Sequence, residues 1–360
     1  MNYIGTFSLA LTFAGCFLGA GYVSGQELWQ FFGAFGSMGP LGLLLAIGLQ
    51  CFFGVVLLRL GRDTGLEDPD KIVIRREIPA LRGFVGAAEV FFMYGVCIIM
   101  YAGAGALLAQ TLGLPQWAGS AILSLLVALI SLRGFAAMVR AFSLLVPLLV
   151  IFTVGFSGAA LLRYGFPGFP EPEPAANPLL QNWGISSLTF VSYNLFCSIG
   201  ILTPLARRLK SRRMIPGGVS LGCAGLFAIA FSILAALSSH PESLSAQLPM
   251  LALAQELSPA AGAVYALVLL CSMFGTALSC HVAAVEYLCR RSSSLRKRHT
   301  AAAGVTAFLG WCGSLAGFDT LIGFVYPLCG YCGFLALLGI IDHAHHIKKE
   351  MQYEQRTCNN

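Results

Sequence analysis

Charged side chains are scarce in this sequence. Only 11% of its 360 residues are Asp, Glu, Lys or Arg, whereas a soluble domain carries about 25%. The longest polar stretch covers residues 61 to 83, so no separate soluble domain is expected. Segments of about ten residues with alternating polarity are also lacking, which excludes a transmembrane barrel. These absences indicate a helical membrane protein.

Recognisable catalytic motifs are lacking as well. The sequence has no nucleophile–base pair, no nucleotide-binding loop and no cluster of metal ligands above background. Cys329 and Cys332 have CxxC spacing, but they lie in an apolar segment without a second pair, so we expect packing rather than zinc or redox chemistry. We therefore predict a protein that is not an enzyme. The net charge of +6 reflects membrane topology, not nucleic-acid binding.

Hydrophobic residues make up 57% of the chain and fall in windows of about 20 residues, long enough for a helix to cross a bilayer core. The first 35 residues show no positively charged leader or Ala-x-Ala-like cleavage site, and we expect them to form the first span. The sequence predicts an all-α integral membrane protein with ten transmembrane helices. The predicted spans are 5–33, 40–60, 84–111, 116–132, 136–162, 182–204, 218–238, 261–288, 300–316 and 319–341.

The basic residues predict the orientation of the spans. If the amino terminus is cytoplasmic, all 22 Lys and Arg residues except Arg163 lie on the cytoplasmic side, as expected from their role in fixing topology. Both termini then lie in the cytoplasm. The tryptophans fall in the outer halves of their spans, which is consistent with an interfacial belt. They are Trp29, Trp117, Trp183 and Trp311.

A proline-rich outer loop, GFPGFPEPEPAANP at 165–178, divides the spans into five and five. An odd number of spans per half gives the halves opposite orientations, which predicts an inverted repeat of the kind found in many secondary transporters. Segments 68–79 and 248–259 are predicted as short helices at the inner and outer surfaces. We predict one transmembrane domain over 1–360, made of a first repeat (1–163), the outer linker (164–178), a second repeat (179–341) and a cytoplasmic tail (342–360).

The stretch GAGYVSGQE at 19–27 places three glycines and a serine inside span 1. Glycine permits unusual backbone angles, so we predict an interrupted helix whose free peptide groups bind a solute. The alternative is close helix packing, because the glycines have GxxxG spacing. The adjoining Gln26 and Glu27 favour the interruption, since polar groups at this depth usually face water or a partner. The predicted solute-binding residues of span 1 are Gly19, Gly21, Ser24 and Gly25.

Span 6 is the counterpart of span 1 in an inverted repeat, and we predict a second break over residues 192–200. Its predicted solute-binding residues are Ser192, Tyr193, Asn194 and Ser198. In span 3, Tyr94 and Tyr101 lie two turns apart on one face and are predicted to line the same pocket, with core packing as the alternative.

Thr276, Ser279 and Cys280 share one face of span 8. Hydroxyls that face unwound carbonyls of span 1, at Ala20 and Tyr22, would suit a sodium ion, which prefers oxygen ligands. We therefore predict sodium at Thr276 and Ser279 as a coupling ion, with a proton as the other candidate. The alternative for the hydroxyls is hydrogen bonding to their own helix.

Four ionisable side chains are candidates for gating or proton transfer: Glu27, Glu89, His281 and Glu286. Glu27 is expected to face an outer vestibule, with helix capping or an interfacial position as the alternatives. The histidine can instead form an interhelical hydrogen bond. Glu89 can pair with Arg140 or reach water, and Glu286 can pair with Arg290.

The stretch GAGYVSGQELWQFF at 19–32 resembles the first-span signature of the YkvI-like bacterial membrane proteins, which are similar to members of the amino acid, polyamine and organocation superfamily. FVSYNLFCSIGILTP at 190–204 resembles the sixth span of that family, and the similarity extends over all ten spans. The resemblance implies a LeuT-type fold of two inverted five-helix repeats, with spans 1 and 6 broken around a central site. It also implies a bacterial plasma (inner) membrane location.

Sodium-coupled members of the superfamily carry hydroxyls on span 8, where this chain has Thr276, Ser279 and Cys280; a thiol is a poorer sodium ligand. Some proton-coupled members carry a lysine in span 5, and FSLLVPLLVIF at 142–152 has none. We expect a sodium- or proton-coupled secondary transporter of a small amino acid or related organic solute, working by alternating access. The alternative is a solute sensor of the same fold that binds without transport. The expected partners are a small solute and the lipid bilayer.

Overall fold

The computed structural model of the chain describes residues 5–66, 68–132, 136–172 and 177–358. Side chains within these ranges are described except at 136–146, 290–291 and 351–358. The predicted ion-pair partners Arg140 and Arg290 therefore lie outside the described side chains.

The described residues form fifteen α-helices. They are α1 (Thr6–Gly15), α2 (Ala20–Ser24), α3 (Gln26–Phe31), α4 (Gly39–Thr64), α5 (Pro69–Val73), α6 (Pro79–Leu112), α7 (Gln116–Ser131), α8 (Ala136–Tyr164), α9 (Trp183–Arg207), α10 (Met214–Ser239), α11 (Pro249–Leu257), α12 (Pro259–Arg291), α13 (Ser293–Lys297), α14 (His299–Ser314) and α15 (Phe318–Cys358). Short 3-10 helices cover Gly33–Met38 and Pro241–Ser245.

Seven helices in the described part are long and apolar enough to cross a membrane, namely α4, α6, α8, α9, α10, α12 and α15. Helices α1 and α7 are shorter apolar helices. Each predicted span coincides with one helix, except that span 1 coincides with α1, α2 and α3. The predicted outer segment forms α11, whereas the inner segment is helical only over α5. The chain is an all-α membrane protein.

Span 1 is interrupted, as its glycines predict, and the interruption occurs at two places rather than one. Helix α1 ends at Gly15, and the backbone leaves the helical path until α2 begins after Gly19. The second interruption is at Gly25, whose φ of +84° is readily adopted only by glycine. A side chain would also collide there, because an added Cβ would lie 2.7 Å from Leu237 Cδ1.

Span 6 is not interrupted, so the predicted break over 192–200 is wrong. Helix α9 is continuous from end to end. Its polar side chains bond to carbonyls of their own helix: Asn194 Nδ2 donates to Phe190 O at 3.0 Å, and Ser198 Oγ donates to Leu195 O at 2.9 Å. Because polar side chains can be satisfied in this way, their presence in an apolar helix does not require a break.

The packing of the helices brings spans 1, 6 and 10 together, because α3 of span 1 contacts both α9 and α15. Helix α9 packs against α4 and α15, and α1 packs against α10 and α8. Helix α15 approaches α9 closely because Gly333 leaves room, since an added Cβ would lie 2.9 Å from Ser192 O. The rings of Tyr193 on α9 and Tyr326 on α15 stack with their centroids 4.6 Å apart.

Candidate solute-binding site

A cavity of about 60 Å³ lies at the first interruption of span 1. It is lined by residues from Gly15 to Gly19, by the Glu27 side chain, and by residues of α6, α9, α12 and α15. One water molecule needs about 10–15 Å³, so the cavity suits a few waters, an ion or a small solute in a closed site. A larger cavity of about 460 Å³, lined in part by Asp70, Arg82 and Tyr287, shares no residue with it.

The interruption leaves peptide groups without their helical partners. The amides of Ala20, Gly21 and Tyr22 form no hydrogen bond with a described residue. Carbonyls of the same segment are satisfied from α12, where Ser272 Oγ donates to Leu18 O at 3.1 Å. Tyr265, also on α12, donates its hydroxyl hydrogen to Val23 O at 2.7 Å. These three N–H groups therefore remain unsatisfied, as do the carbonyls of Gly15 and Cys16, which accept no hydrogen bond from a described residue.

Glu27 lies in the centre of the protein, not in an outer vestibule. Its side chain is 3% exposed and lines the cavity. The Tyr193 hydroxyl donates to Glu27 Oε1. Glu27 Oε2 lies over Gly21, where an added Cβ would be only 2.6 Å from that oxygen. None of the described ion pairs involves this carboxyl group.

Of the four residues predicted on span 6, Tyr193 and Asn194 line the cavity. Ser192 does not, because its hydroxyl donates to Gly330 O of α15 at 2.7 Å. Ser198 also lies outside the lining and bonds within α9.

In span 1, Gly19 lines the cavity, while Ser24 and Gly25 shape the backbone beside it. Ser24 Oγ donates to Gly21 O at 3.1 Å and accepts from the Gln26 amide at 3.4 Å. These bonds stabilise the turn between α2 and α3.

Thr276, Ser279 and Cys280 all line the cavity from α12. Ser279 Oγ donates to Gly275 O at 2.8 Å, which leaves its lone pairs able to accept or to coordinate. Thr276 has no hydrogen-bond partner among the described residues. The three residues thus lie together in the structure, and their role in ion binding stays a prediction.

The predicted carbonyl ligands of span 1 need correction, because Ala20 and Tyr22 do not line the cavity. Tyr22 faces α10, where its buried hydroxyl donates to Leu226 O at 2.7 Å. Residues 15–17, at the end of α1 and the start of the interruption, line the cavity instead. The helix ends at Gly15, several residues before the predicted ligands Ala20 and Tyr22.

Tyr94 and Tyr101 share a face of α6, but that face meets α14 and not the cavity. The Tyr94 hydroxyl donates to Thr306 O at 2.5 Å. An added Cβ at Gly310 would lie 2.9 Å from Tyr101 Cε2. The prediction that these tyrosines line the pocket is therefore wrong, since the sequence gives the shared face but not the neighbour it packs against.

The other ionisable candidates also lie outside the cavity. His281 is fully buried, and its Nδ1 lies 3.5 Å from the Tyr101 hydroxyl, in agreement with an interhelical hydrogen bond. Glu89 Oε1 accepts from the Gly200 amide of α9 at 3.2 Å. Glu286 lines a separate cavity with His299 near the C-terminal end of α12.

Sequence reasoning missed several residues of the cavity. Cys16 and Phe17 line it from the interruption, and Met93, Cys197 and Tyr326 line it from α6, α9 and α15. They are apolar or weakly polar, so they do not stand out in an apolar span. The only signal at Tyr326 is the proline that follows it.

The helices of the chain form a known fold. No family model matches the sequence. The structure is similar to MhsT in complex with L-phenylalanine, with a TM-score of 0.66 and 16% identity, over 96% of this chain and 97% of that one. It is also similar to a Na⁺-coupled sialic acid symporter, with a TM-score of 0.63 and 14% identity, over 94% of this chain and 79% of that one. The chain is a membrane protein with the LeuT-type fold.

The sequence resembles one membrane protein over nearly its whole length. It is 25% identical to the uncharacterized membrane protein YkvI of Bacillus subtilis (strain 168) over 337 residues, which cover 92% of this chain and 94% of that protein. The resemblance predicted from the motifs of spans 1 and 6 is thereby confirmed.

Tyr265→Phe tests whether α12 supports the interrupted span. The change leaves the buried Val23 carbonyl unpaired, which costs about 1–3 kcal/mol, so we expect a lower melting temperature of the protein in detergent. Tyr331→Phe is the matched control, because its hydroxyl bonds to Leu179 O at 2.6 Å in an exposed position where water can replace it. Equal melting temperatures for the two variants would contradict the supporting role of α12.

Proposed function

We propose that the chain is a cation-coupled secondary transporter, which moves a small amino acid or related organic solute by alternating access. The observation that carries the proposal is the interruption of span 1, whose residues 15–17 and Gly19 line a cavity and which leaves the following amides of Ala20, Gly21 and Tyr22 unbonded. In a bilayer, irregular backbone is tolerated only where protein or a water-filled site satisfies it. A solute that accepts hydrogen bonds from these amides provides such a partner.

The proposed ten-span inverted repeat is supported by which helices pack together. In an inverted repeat, each span of the first half corresponds to the span five positions later in the second half. If two spans pack together, their two counterparts should therefore also pack together. Helix α4 packs on α9 as α10 packs on α1, α6 packs on α15 as α12 packs on α8, and α7 packs on α12 as α14 packs on α6. Two halves of the same architecture in opposite orientations would produce this exchange of partners.

We propose sodium as the coupling ion, held by the hydroxyls of Thr276 and Ser279 and by backbone carbonyls of residues 15–17. All of them line one cavity, and hydroxyl and carbonyl oxygens are the ligands that hard cations prefer. The Na⁺-coupled symporter of the same fold supports this choice. A proton is the alternative, with Glu27 as its carrier.

An amino acid is favoured as the solute for two reasons. Free backbone N–H groups suit a carboxylate, and MhsT of the same fold has L-phenylalanine bound. The distribution of basic residues supports cytoplasmic termini in a bacterial plasma membrane.

The second candidate function is a solute sensor of the same fold. The continuous α9 favours it. With only one broken span, the chain has fewer hinges about which the site can open to one side of the membrane and then to the other. Such a receptor binds its solute without accumulating it.

Transport is tested with the purified protein in proteoliposomes. Radiolabelled L-alanine and L-phenylalanine are offered under an imposed sodium or proton gradient. Accumulation against the solute gradient, absent from protein-free vesicles, supports the transporter. Saturable binding without accumulation favours the sensor, and neither binding nor accumulation of any amino acid would overturn the proposal.

Gly21→Leu should abolish solute binding while the protein still inserts and remains monodisperse. Even the first carbon of the new side chain would overlap Glu27 Oε2, since an added Cβ lies 2.6 Å from it, and Ile322 Cδ1 is 3.3 Å away. Gly48→Leu is the control, because nothing lies within 4 Å of its added Cβ. Wild-type affinity in Gly21→Leu would mean that this glycine only allows packing.

Thr276→Val should weaken the sodium dependence of binding or transport. A hydroxyl that contacts a charged group contributes about 1.5–3 kcal/mol, so we expect the half-maximal sodium concentration to rise about tenfold. Thr111→Val is the control, because its hydroxyl bonds to Leu107 O within α6 and lies outside the cavity. An unchanged sodium response would remove α12 from the ion site.

A further inference from the structure

We propose that the cavity recognises the protonated amine of its solute, and that Glu27 is the residue that binds it. The inference rests on the proposed function, because it specifies the solute of the same site. It makes Glu27 a substrate-binding residue, where sequence reasoning offered a gate or a proton carrier.

The charge of the cavity is the first argument. Among the described residues that line it, Glu27 is the only carboxylic acid, and none is Lys, Arg or His. A solute with net negative charge would meet a carboxylate and no opposite charge. A solute with a positive group would find its counter-charge within the cavity.

The geometry of Glu27 is the second argument. The side chain is buried and meets no basic partner in any described ion pair. An ionised group in such a place is costly unless it is paired and hydrogen-bonded. The Tyr193 hydroxyl already donates to Oε1, and Gly21 leaves room for Oε2. The protein thus fixes the carboxyl group from one side and leaves the counter-charge to the ligand.

The aromatic lining is the third argument. Phe17, Tyr193 and Tyr326 line the same cavity as the carboxyl group. Aromatic faces attract ammonium groups, and the attraction increases when the cation is desolvated. Stacking on Tyr326 holds the Tyr193 ring, with the planes only 10° apart. A carboxylate beside aromatic rings is a suitable binding site for an alkylammonium ion.

The experiment uses amino acids and their one-group deletions. Ethylammonium and propionate are L-alanine without its carboxylate and without its amine; phenethylammonium and 3-phenylpropionate are the same pair for L-phenylalanine. Binding of these six compounds to the purified full chain is measured by thermal shift and calorimetry at matched ionic strength. We expect at least one amine to bind the wild-type protein, and its matched acid to bind at least tenfold more weakly or not at all.

Glu27→Gln should weaken binding of the amine at least tenfold, because it removes the charge and keeps the shape. Glu89→Gln is the matched control, since it changes another buried carboxyl group that bonds to the Gly200 amide outside the cavity. We expect its amine affinity to stay within twofold of wild type. If Glu27→Gln does not fold, the comparison of amine and acid on the wild-type protein decides alone.

Three results would overturn the inference. They are the absence of amine binding to the wild-type protein, equal or tighter binding of the acid, and unchanged amine affinity in Glu27→Gln. The last result, together with a loss of proton-driven uptake in that variant, would make Glu27 a proton carrier. If the solute accumulates equally with and without the Glu27 carboxylate, only this inference is refuted. If the amine binds through Glu27 but no solute accumulates, only the transporter proposal is refuted.

Discussion

Backbone hydrogen bonding within the bilayer is the constraint on which the rest of this structure depends. A peptide group in hydrocarbon must find a partner, and a continuous helix provides one for almost every residue. Span 1 gives up this arrangement between Gly15 and Ala20. Two side chains of α12 replace part of what is lost, because Ser272 and Tyr265 bond to carbonyls of the broken segment. The amides of Ala20, Gly21 and Tyr22 remain unsatisfied, next in sequence to Gly19, which lines a cavity with one carboxyl group.

The asymmetry between spans 1 and 6 bears on how such a site opens. Helix α9 is continuous, but it contains a proline near its C-terminal end. Pro204 has no N–H to donate to the carbonyl of Gly200, and the Gly200 amide donates to Glu89 Oε1. We expect this part of α9, near its C-terminal end, to bend more readily than the rest.

The sequence predicted the fold better than it predicted the site. Spans, the interrupted first helix and the shared face of Thr276 and Ser279 follow from hydropathy, glycine and helical periodicity. The error at span 6 arose because serine and asparagine hydroxyl and amide groups can bond to their own helix, so composition alone does not reveal a break. The error at Tyr94 and Tyr101 arose because periodicity gives a face but not its neighbour. Glu27 was recognised as unusual, yet its approach to Gly21 depends on the three-dimensional path of the chain.

Hydrogen–deuterium exchange of the backbone amides tests the central claim most directly. The account predicts that the amides of residues 20–22 exchange faster than those in the middle of α9, since they form no hydrogen bond with a described residue. It also predicts that a bound solute slows their exchange while exchange in α9 changes less. Exchange of residues 20–22 as slow as that of α9, with no response to any solute that binds, would contradict an open, solute-binding interruption.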